Sequence, residues 1–172
     1  VLCEGPHMAF CIMKLGCPQH KVKVNHLGIS TAEIQYKPRL WEAHEPLRVL
    51  IACSFQEKKG VPYAIEALAR ISKTIPLEIT IIGDANQEPR SQAEKNRILE
   101  TIEKNHMSSK ICMLGYQSHT ILFEQAYGHH IFVSPSVTAA DGDTEGGAPV
   151  TILEMAATGM PVVSTYHCDI PE

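Results

Sequence analysis

The sequence has no apolar run long enough to cross a bilayer and no secretory leader pattern, which excludes a helical membrane span and makes the cytoplasm the expected location. It also lacks a surplus of positive charge: 15 Lys and Arg stand against 19 Asp and Glu, for a net charge of −4. Nucleic acid as the main partner is therefore excluded, because phosphate backbones demand clustered Lys and Arg, and Lys58-Lys59 is too small a patch. None of the six cysteines, at positions 3, 11, 17, 53, 112 and 168, forms a Cys-x-x-Cys pair. With Cys53 and Cys112 inside apolar runs, the set reads as reduced core thiols rather than disulfides or metal ligands. The nine histidines include the pair His129-His130, but none shows helical i, i+4 spacing beside an acid, so they read as scattered polar side chains and no metal site is expected. No Gly-x-Gly-x-x-Gly follows a strand, which argues against a nicotinamide-dependent dehydrogenase.

What is present is an ordinary globular composition, 44% hydrophobic and 20% charged over 172 residues, enough for one domain or slightly more. Residues 1–3 read as the end of a strand. Residues 6–15 read as a short apolar helix stopped by Gly16 and Pro18, and 21–26 alternate as a strand with one wet face. From Leu47 onward short apolar runs at 47–53, 77–83, 110–114, 130–133 and 161–164 alternate with helical patterns at 60–74, 89–106, 118–127 and 149–158. In 60–74, Ala64, Leu68 and Ile71 share one face. Regular alternation of buried strands and helices predicts an α/β fold, a Rossmann-like parallel sheet flanked by helices, with ligands gathered past the carboxyl ends of the strands.

The stretch most suggestive of chemistry is Asp141-Gly142-Asp143-Thr144-Glu145-Gly146-Gly147-Ala148-Pro149-Val150, followed by Glu154, Gly159 and Pro161. Proline suits the first turn of a helix and glycine the position just past its end, so the helix should run over 149–158. Gly146 and Gly147 carry no side chain, so a ligand can approach the backbone where free N–H groups and the positive end of the helix dipole face it, a place for a phosphate or a sugar hydroxyl. Glu154, one and a half turns on, shares a face with Val150 and Thr158 while Ile152, Leu153 and Ala156 pack inward. Its carboxylate can accept two hydrogen bonds from a vicinal diol such as a ribose. The scheme requires Gly146-Gly147 to be open and Glu154 to face the same sheet edge. Asp141, Asp143 and Glu145 read either as a cation-binding cluster or as a solvated loop.

These residues resemble the donor-binding signature of the group 1 (family 4) retaining glycosyltransferases of GT-B fold, in which two glutamates bracket a glycine-rich helix start followed by Gly-x-Pro and a Val-Val strand. The turn Ser54-Phe55-Gln56-Glu57-Lys58-Lys59-Gly60 resembles that family's Arg-x-x-x-x-Lys-Gly turn, and Leu114-Gly115-Tyr116-Gln117 its segment facing the nucleotide base. Two departures stand out: eight residues rather than seven separate Glu145 from Glu154, and Ser54 fills the slot of the arginine. The resemblance implies that Glu145 contacts the donor sugar and that Ser54 and Lys59 hold the diphosphate. It implies further that the backbone of Gly146, Gly147, Ala148, Pro149 and Val150 holds sugar and phosphates, and that Glu154 binds the ribose. Gly115 would face the base, with Tyr116 either stacking on it or capping the sheet. It implies residues 1–37 as the tail of an N-terminal acceptor domain, its linker lying within 30–46 and placed at 38–46, and 47–172 as a donor-binding domain lacking its C-terminal end. Val1 and Glu172 both read as internal to a longer chain.

The implied reaction is retaining transfer of a sugar from a nucleotide diphosphate sugar to a glycan or lipid-linked acceptor in polysaccharide assembly. The implied enzyme uses no metal or other cofactor, is cytoplasmic with a peripheral seat at the inner face of the membrane left open, and is inactive as the isolated piece. A non-catalytic nucleotide-binding module and a GT-B nucleotide-sugar epimerase are the alternatives, since fold alone never fixes function.

Overall fold

A computed structural model describes all of residues 1–172. At its start, β1 (Leu2–Cys3) and β2 (Lys23–Val24) pair in parallel around α1 (Pro6–Lys14), a strand-helix-strand unit with a two-stranded sheet of its own. The alternation over 21–26 yields only these two residues of strand. Its partner β1 offers just Leu2 and Cys3 for pairing, and Gln19–Lys21 closes into a 3-10 turn beforehand.

The second sheet holds β3 (Leu47–Ala52), β4 (Leu77–Ile82), β5 (Ile111–Gly115), β6 (Ile131–Ser134) and β7 (Val162–Ser164), all parallel, in the order β5-β4-β3-β6-β7. Between them run α2 (Val61–Ile71), α3 (Pro89–Lys104), α4 (His119–Gly128) and α5 (Val150–Ala157). Because β-strand side chains alternate, Val49 and Ile51 of β3 enter one core with Ile65 and Leu68 of α2 and Ile98 of α3, while Leu50 and Ala52 enter the other with Leu122 of α4 and Met155 of α5. Each fully buried Leu, Ile or Phe contributes about 1.5–3 kcal/mol, so these two apolar layers are the main cohesion of the sheet domain.

The chain steps outward from β3 to β4 to β5, then returns to place β6 on the other side of β3. Loops leaving β3 and β6 therefore diverge to opposite faces and open a crevice at their carboxyl ends, the usual ligand position in such sheets. The two loops are tied at its base: the Val137 amide donates to the Lys58 carbonyl at 2.8 Å. Gly60, at φ 64°, lies so close that a Cβ there would collide with the Pro135 carbonyl oxygen. Only glycine combines that backbone with that approach.

Residues 36–39 lie across the far ends of α4 and α5. Arg39 donates to the carbonyls of Ala126 at 3.1 Å, His129 at 3.1 Å and Thr158 at 3.2 Å, and to Thr158 Oγ1 at 3.1 Å. A guanidinium thus meets the orphan carbonyls of two helix ends, where its charge also complements their dipoles.

Several expectations need correction. Cys112 is exposed on the edge strand β5, and Cys11 is exposed on α1, so the cysteines are not a uniform set of core thiols. Ile71 is 40% exposed at the frayed end of α2, and Val61 and Ile65 complete the buried face with Ala64 and Leu68. His129 and His130 are buried rather than scattered over the surface. His129 Nδ1 donates to the Gln125 carbonyl at 2.6 Å and its Nε2 accepts from Thr80 Oγ1 at 2.9 Å, while His130 Nδ1 accepts the Arg48 amide at 3.0 Å. Burial lowers the pKa of both rings, the Arg48 charge adding to the effect.

Candidate functional site

The acidic loop after β6 meets the turn after β3 residue by residue. Lys58 Nζ pairs with Asp143 at 3.1 Å and reaches the Thr144 carbonyl at 3.2 Å, and its neighbour Lys59 pairs with Glu145 at 2.7 Å. Glu57 accepts the Ala140 amide at 3.1 Å, and Arg90 at the start of α3 pairs with Asp141. Each acid of the loop has its own cation, so the loop is neither a bare cation-binding cluster nor freely solvated.

The Lys59–Glu145 pair is the inner one, its side chains 19% and 6% exposed. Ser136, itself buried, donates to Glu145 Oε1 at 2.7 Å, so both carboxylate oxygens are occupied. A buried carboxylate supported by one cation and one hydroxyl is held in a single geometry. Cys53 stands behind this pair, and burial pushes its thiol up to about 12 despite the opposing charge of Lys59, which leaves it protonated and unreactive. From the other side, the Glu145 amide donates to His167 Nε2 at 3.5 Å. Burial lowers the His167 pKa, with the Glu145 charge opposing, which favours the neutral ring that such an acceptor role needs.

Helix α5 begins at Val150, not Pro149. Pro149 is the N-cap, its ψ of 131° extended and its φ already helix-compatible. Met155 is the fully buried residue of the helix, Ile152 packs against the same core, and Ala156 is exposed rather than inward. Periodicity names a face but not the strands it meets, here β6 and β7, so the expected face of Ile152, Leu153 and Ala156 is only partly realised.

Gly147 is buried. A Cβ on it would collide with the carboxylate of Glu4, which arrives from the N-terminal unit, and Met8 Cε lies 3.4 Å from the corresponding position on Gly146. The glycine pair is thus covered rather than open, though by the tips of flexible side chains and, at Gly147, by a residue that is itself exposed. The cover is anchored by Asp169, which accepts the amides of His7 at 2.6 Å and Met8 at 3.2 Å and so caps α1 in place of Gly5, which has no side chain to do it.

Glu154 faces a different neighbour. Its side chain, 14% exposed, pairs with His119 at the start of α4, at 2.8 Å. The two sit at one end of a groove of about 590 Å³ between α4 and residues 29–34. The expected residues therefore form two clusters. Lys59 and Glu145 meet directly, with Ser54 on the same turn after β3 and Gly146 to Val150 on the same loop. Glu154, on α5 beside β6 and β7, pairs instead with the start of α4, which follows Gly115 and the exposed Tyr116 on the chain.

Ser136 and His167 were not among the expected site residues: Ser136 ends the Ser134-Pro135-Ser136 turn after β6, and His167 follows β7. His119 follows a clear N-cap serine, Ser118, whose Oγ accepts the Ile121 amide at 3.3 Å. Glu4 carried no signal at all, since its contact spans the whole sheet domain.

Comparison with known proteins gives the family and the fold. The sequence pattern of the family described as glycosyl transferases group 1 matches residues 46–172. The amylovoran biosynthesis glycosyltransferase AmsK of Erwinia amylovora is 36% identical over 163 residues, covering 94% of this chain and 38% of that protein. The putative colanic acid biosynthesis glycosyltransferase WcaL of Escherichia coli (strain K12) is 33% identical over 165 residues, again 94% of this chain and 38% of that protein. The chain thus spans well under half the length of these relatives. Among solved structures, Anabaena Alr3699/HepE in complex with UDP and glucose superposes with a TM-score of 0.79 at 16% identity, over 99% of this chain and 45% of that one. At that identity the likeness speaks to fold, and the fold agrees with the Rossmann-like sheet expected from the sequence. With the family's pattern running from the start of β3 to the last residue, through the paired turn and acidic loop, the chain belongs to the glycosyl transferases group 1.

Proposed function

We propose that the crevice between the turn after β3 and the loop after β6 holds the diphosphate and sugar of a nucleotide diphosphate sugar. The whole protein would then transfer that sugar, with retention, to a glycan or lipid-linked acceptor in polysaccharide assembly. The observation that carries this reading is the buried Lys59–Glu145–Ser136 cluster at the point where strand order reverses, in a chain of this family. The relatives in amylovoran and colanic acid biosynthesis support the polysaccharide setting. No helix is long and apolar enough to cross a membrane, and the proposed setting is cytoplasmic, peripheral at the inner membrane face where the acceptor is lipid-linked.

In the proposed reaction the bond from the anomeric carbon to the diphosphate oxygen breaks while an acceptor hydroxyl bonds to the same face of the sugar, its proton passing to the departing diphosphate oxygen. Charge grows on the leaving diphosphate as the sugar gains oxocarbenium character, and fixed donors aimed at that charge lower the barrier. Lys59 supplies a point charge, Ser54 a hydroxyl in place of the family's arginine, and the backbone of Gly146 to Val150 its amides, with Pro149 contributing shape only. Glu145 orients the sugar. Glu154, braced by His119, takes the ribose, and Tyr116 lies within the segment assigned to the base. The covered glycine pair and the Glu154–His119 pairing do not meet the openness and shared edge required of the sequence scheme. Donor entry therefore requires Glu4 to swing off Gly147 and Glu154 to reach the ribose from its own cluster. Residues 1–37 are read as the tail of an acceptor domain, 38–46 as linker and 47–172 as the donor-binding domain, so this chain alone should bind donor and transfer nothing.

Isothermal titration of the chain with UDP, GDP and ADP tests the site. One of the three should bind, Glu154→Ala should weaken it by about tenfold or more, about 1.4 kcal/mol, and Lys59→Ala should weaken the diphosphate while sparing the bare nucleoside. Absence of binding by all three, or binding indifferent to Glu154, would overturn the assignment. Robust turnover by the isolated chain would overturn the division into domains.

A further inference from the structure

A second groove, of about 780 Å³, lies on the opposite side of the turn after β3, between that turn, the start of α3 and the outer part of the acidic loop. Its volume falls in the range of about 300–1,000 Å³ common for small-molecule sites. Gln56, Glu57 and Lys58 form one wall, whereas the next residue, Lys59, turns to Glu145 in the proposed donor crevice. Neighbouring lysines of one turn thus face the groove and the Lys59–Glu145 pair.

At this groove one side chain is left incomplete. Glu94 on α3 is buried, its side chain 6% exposed, and only Oε2 has a partner, Arg97 at 3.4 Å. Oε1 has none, and a buried carboxylate oxygen without a donor is costly in a folded protein. Burial pushes the Glu94 carboxyl up, with Arg97 opposing, as expected of a carboxylate short of donors.

The lining selects among ligand chemistries. The only apolar members are three alanines, Ala93, Ala139 and Ala140, so a flat hydrophobic molecule would bury little. Five acids line the groove against three bases, which disfavours an anion. A simple cation would satisfy Glu94 Oε1 but leave the N–H donors of Gln56 and Arg97 facing like charge. The three bases are matched within the wall, Lys58 to Asp143, Arg90 to Asp141 and Arg97 to Glu94, which leaves Glu57 and Glu88 without a base of their own, so a ligand meets surplus acceptors beside the N–H donors of Gln56 and Arg97. A hydroxyl serves both at once, donating to a carboxylate while accepting from a guanidinium or an amide.

We propose that this groove binds a neutral, polyhydroxylated ligand, a saccharide, with Glu94 Oε1 as the anchoring acceptor and Gln56 and Arg97 as donors. The site is distinct from the donor crevice, and its basis is independent of whether that crevice takes a nucleotide.

The test is a printed panel of neutral and acidic oligosaccharides probed with the labelled chain, followed by calorimetry on any glycan retained, with spermidine and inorganic phosphate as cationic and anionic comparisons. Neutral glycans should be retained and saturating UDP should leave their affinity unchanged. Glu94→Leu should weaken them at least tenfold, and Glu94→Gln, which keeps an acceptor oxygen, should weaken them less. Should Glu94→Leu fail to fold, as judged by its thermal unfolding, Gln56→Ala carries the same expectation of a severalfold loss. Retention of no neutral glycan, affinity indifferent to Glu94 and Gln56, tighter binding of spermidine or phosphate, or competition by UDP would each overturn the proposal. Failure of UDP, GDP and ADP to bind would overturn only the donor reading.

Discussion

Glu4 is the residue whose position most changes the picture of the site. Its carboxylate lies over Gly147, where an incoming donor would bring its own negative charge, so the two compete for one place. Glu4→Gln keeps the shape and removes that competition. UDP affinity should rise by about two- to fivefold, the effect of removing one partly screened like charge, and the gain should shrink at high salt. Titration at two ionic strengths checks it, and an unchanged or weaker affinity would show that Glu4 is no obstacle. None of this was legible in the sequence, because Glu4 and Gly147 are neighbours only through the packing of α1. Lys59 and Glu145 were legible as candidates, being a lysine before a glycine and an acid before a glycine pair. Their direct pairing was not, since it depends on β6 returning to the side of β3.

At the scale of elements, the strands and helices from β3 onward were readable, because apolar runs and Pro/Gly punctuation are local and these helices open and close on them. Ends shifted by a few residues at most, as with α5 starting at Val150. Which face each helix buries was less readable: Ile71 and Ala156 are exposed because contact depends on the strands each helix meets, which periodicity alone does not specify. The role of residues 36–39 was not readable either, since Pro38 and its exposed neighbours look like any connector. Yet Arg39 closes the ends of two helices with four hydrogen bonds. Arg39→Ala should destabilise the chain by about 2–3 kcal/mol, since four charge-assisted hydrogen bonds are lost at once, although the Ala126 and Thr158 carbonyls keep the amides of His129 and Lys37. The midpoint of urea unfolding reports this. Arg39→Lys should recover only part, an ammonium lacking the planar fork. A change within error for Arg39→Ala would mean that residues 36–39 rest on the helices without supporting them.

For the whole molecule, three histidines couple stability to pH. Folding lowers the pKa of His129, His130 and His167, burial being the leading cause for each. The unfolded chain therefore takes up protons more readily than the folded one. Stability should be full above the unfolded histidine value of about 6.5 and decline as pH falls through that value toward the lower folded ones. Thermal unfolding midpoints at pH 7.5 and 5.5 should differ in that sense, and His129→Gln should reduce the difference. A midpoint that holds or rises on acidification would contradict the burial of these rings.

Asp169 gives the molecule one more property. The first turn of α1 finds its acceptor not in its own sequence but 162 residues later. Parting the two lobes would strip both amides at one stroke, so the mouth between them should behave as a latch with shut and sprung positions rather than swaying by degrees. A cut in the exposed stretch between Asn25 and Gly28 should leave the severed piece riding on its companion through gel filtration, and Asp169→Ala should let it drift away.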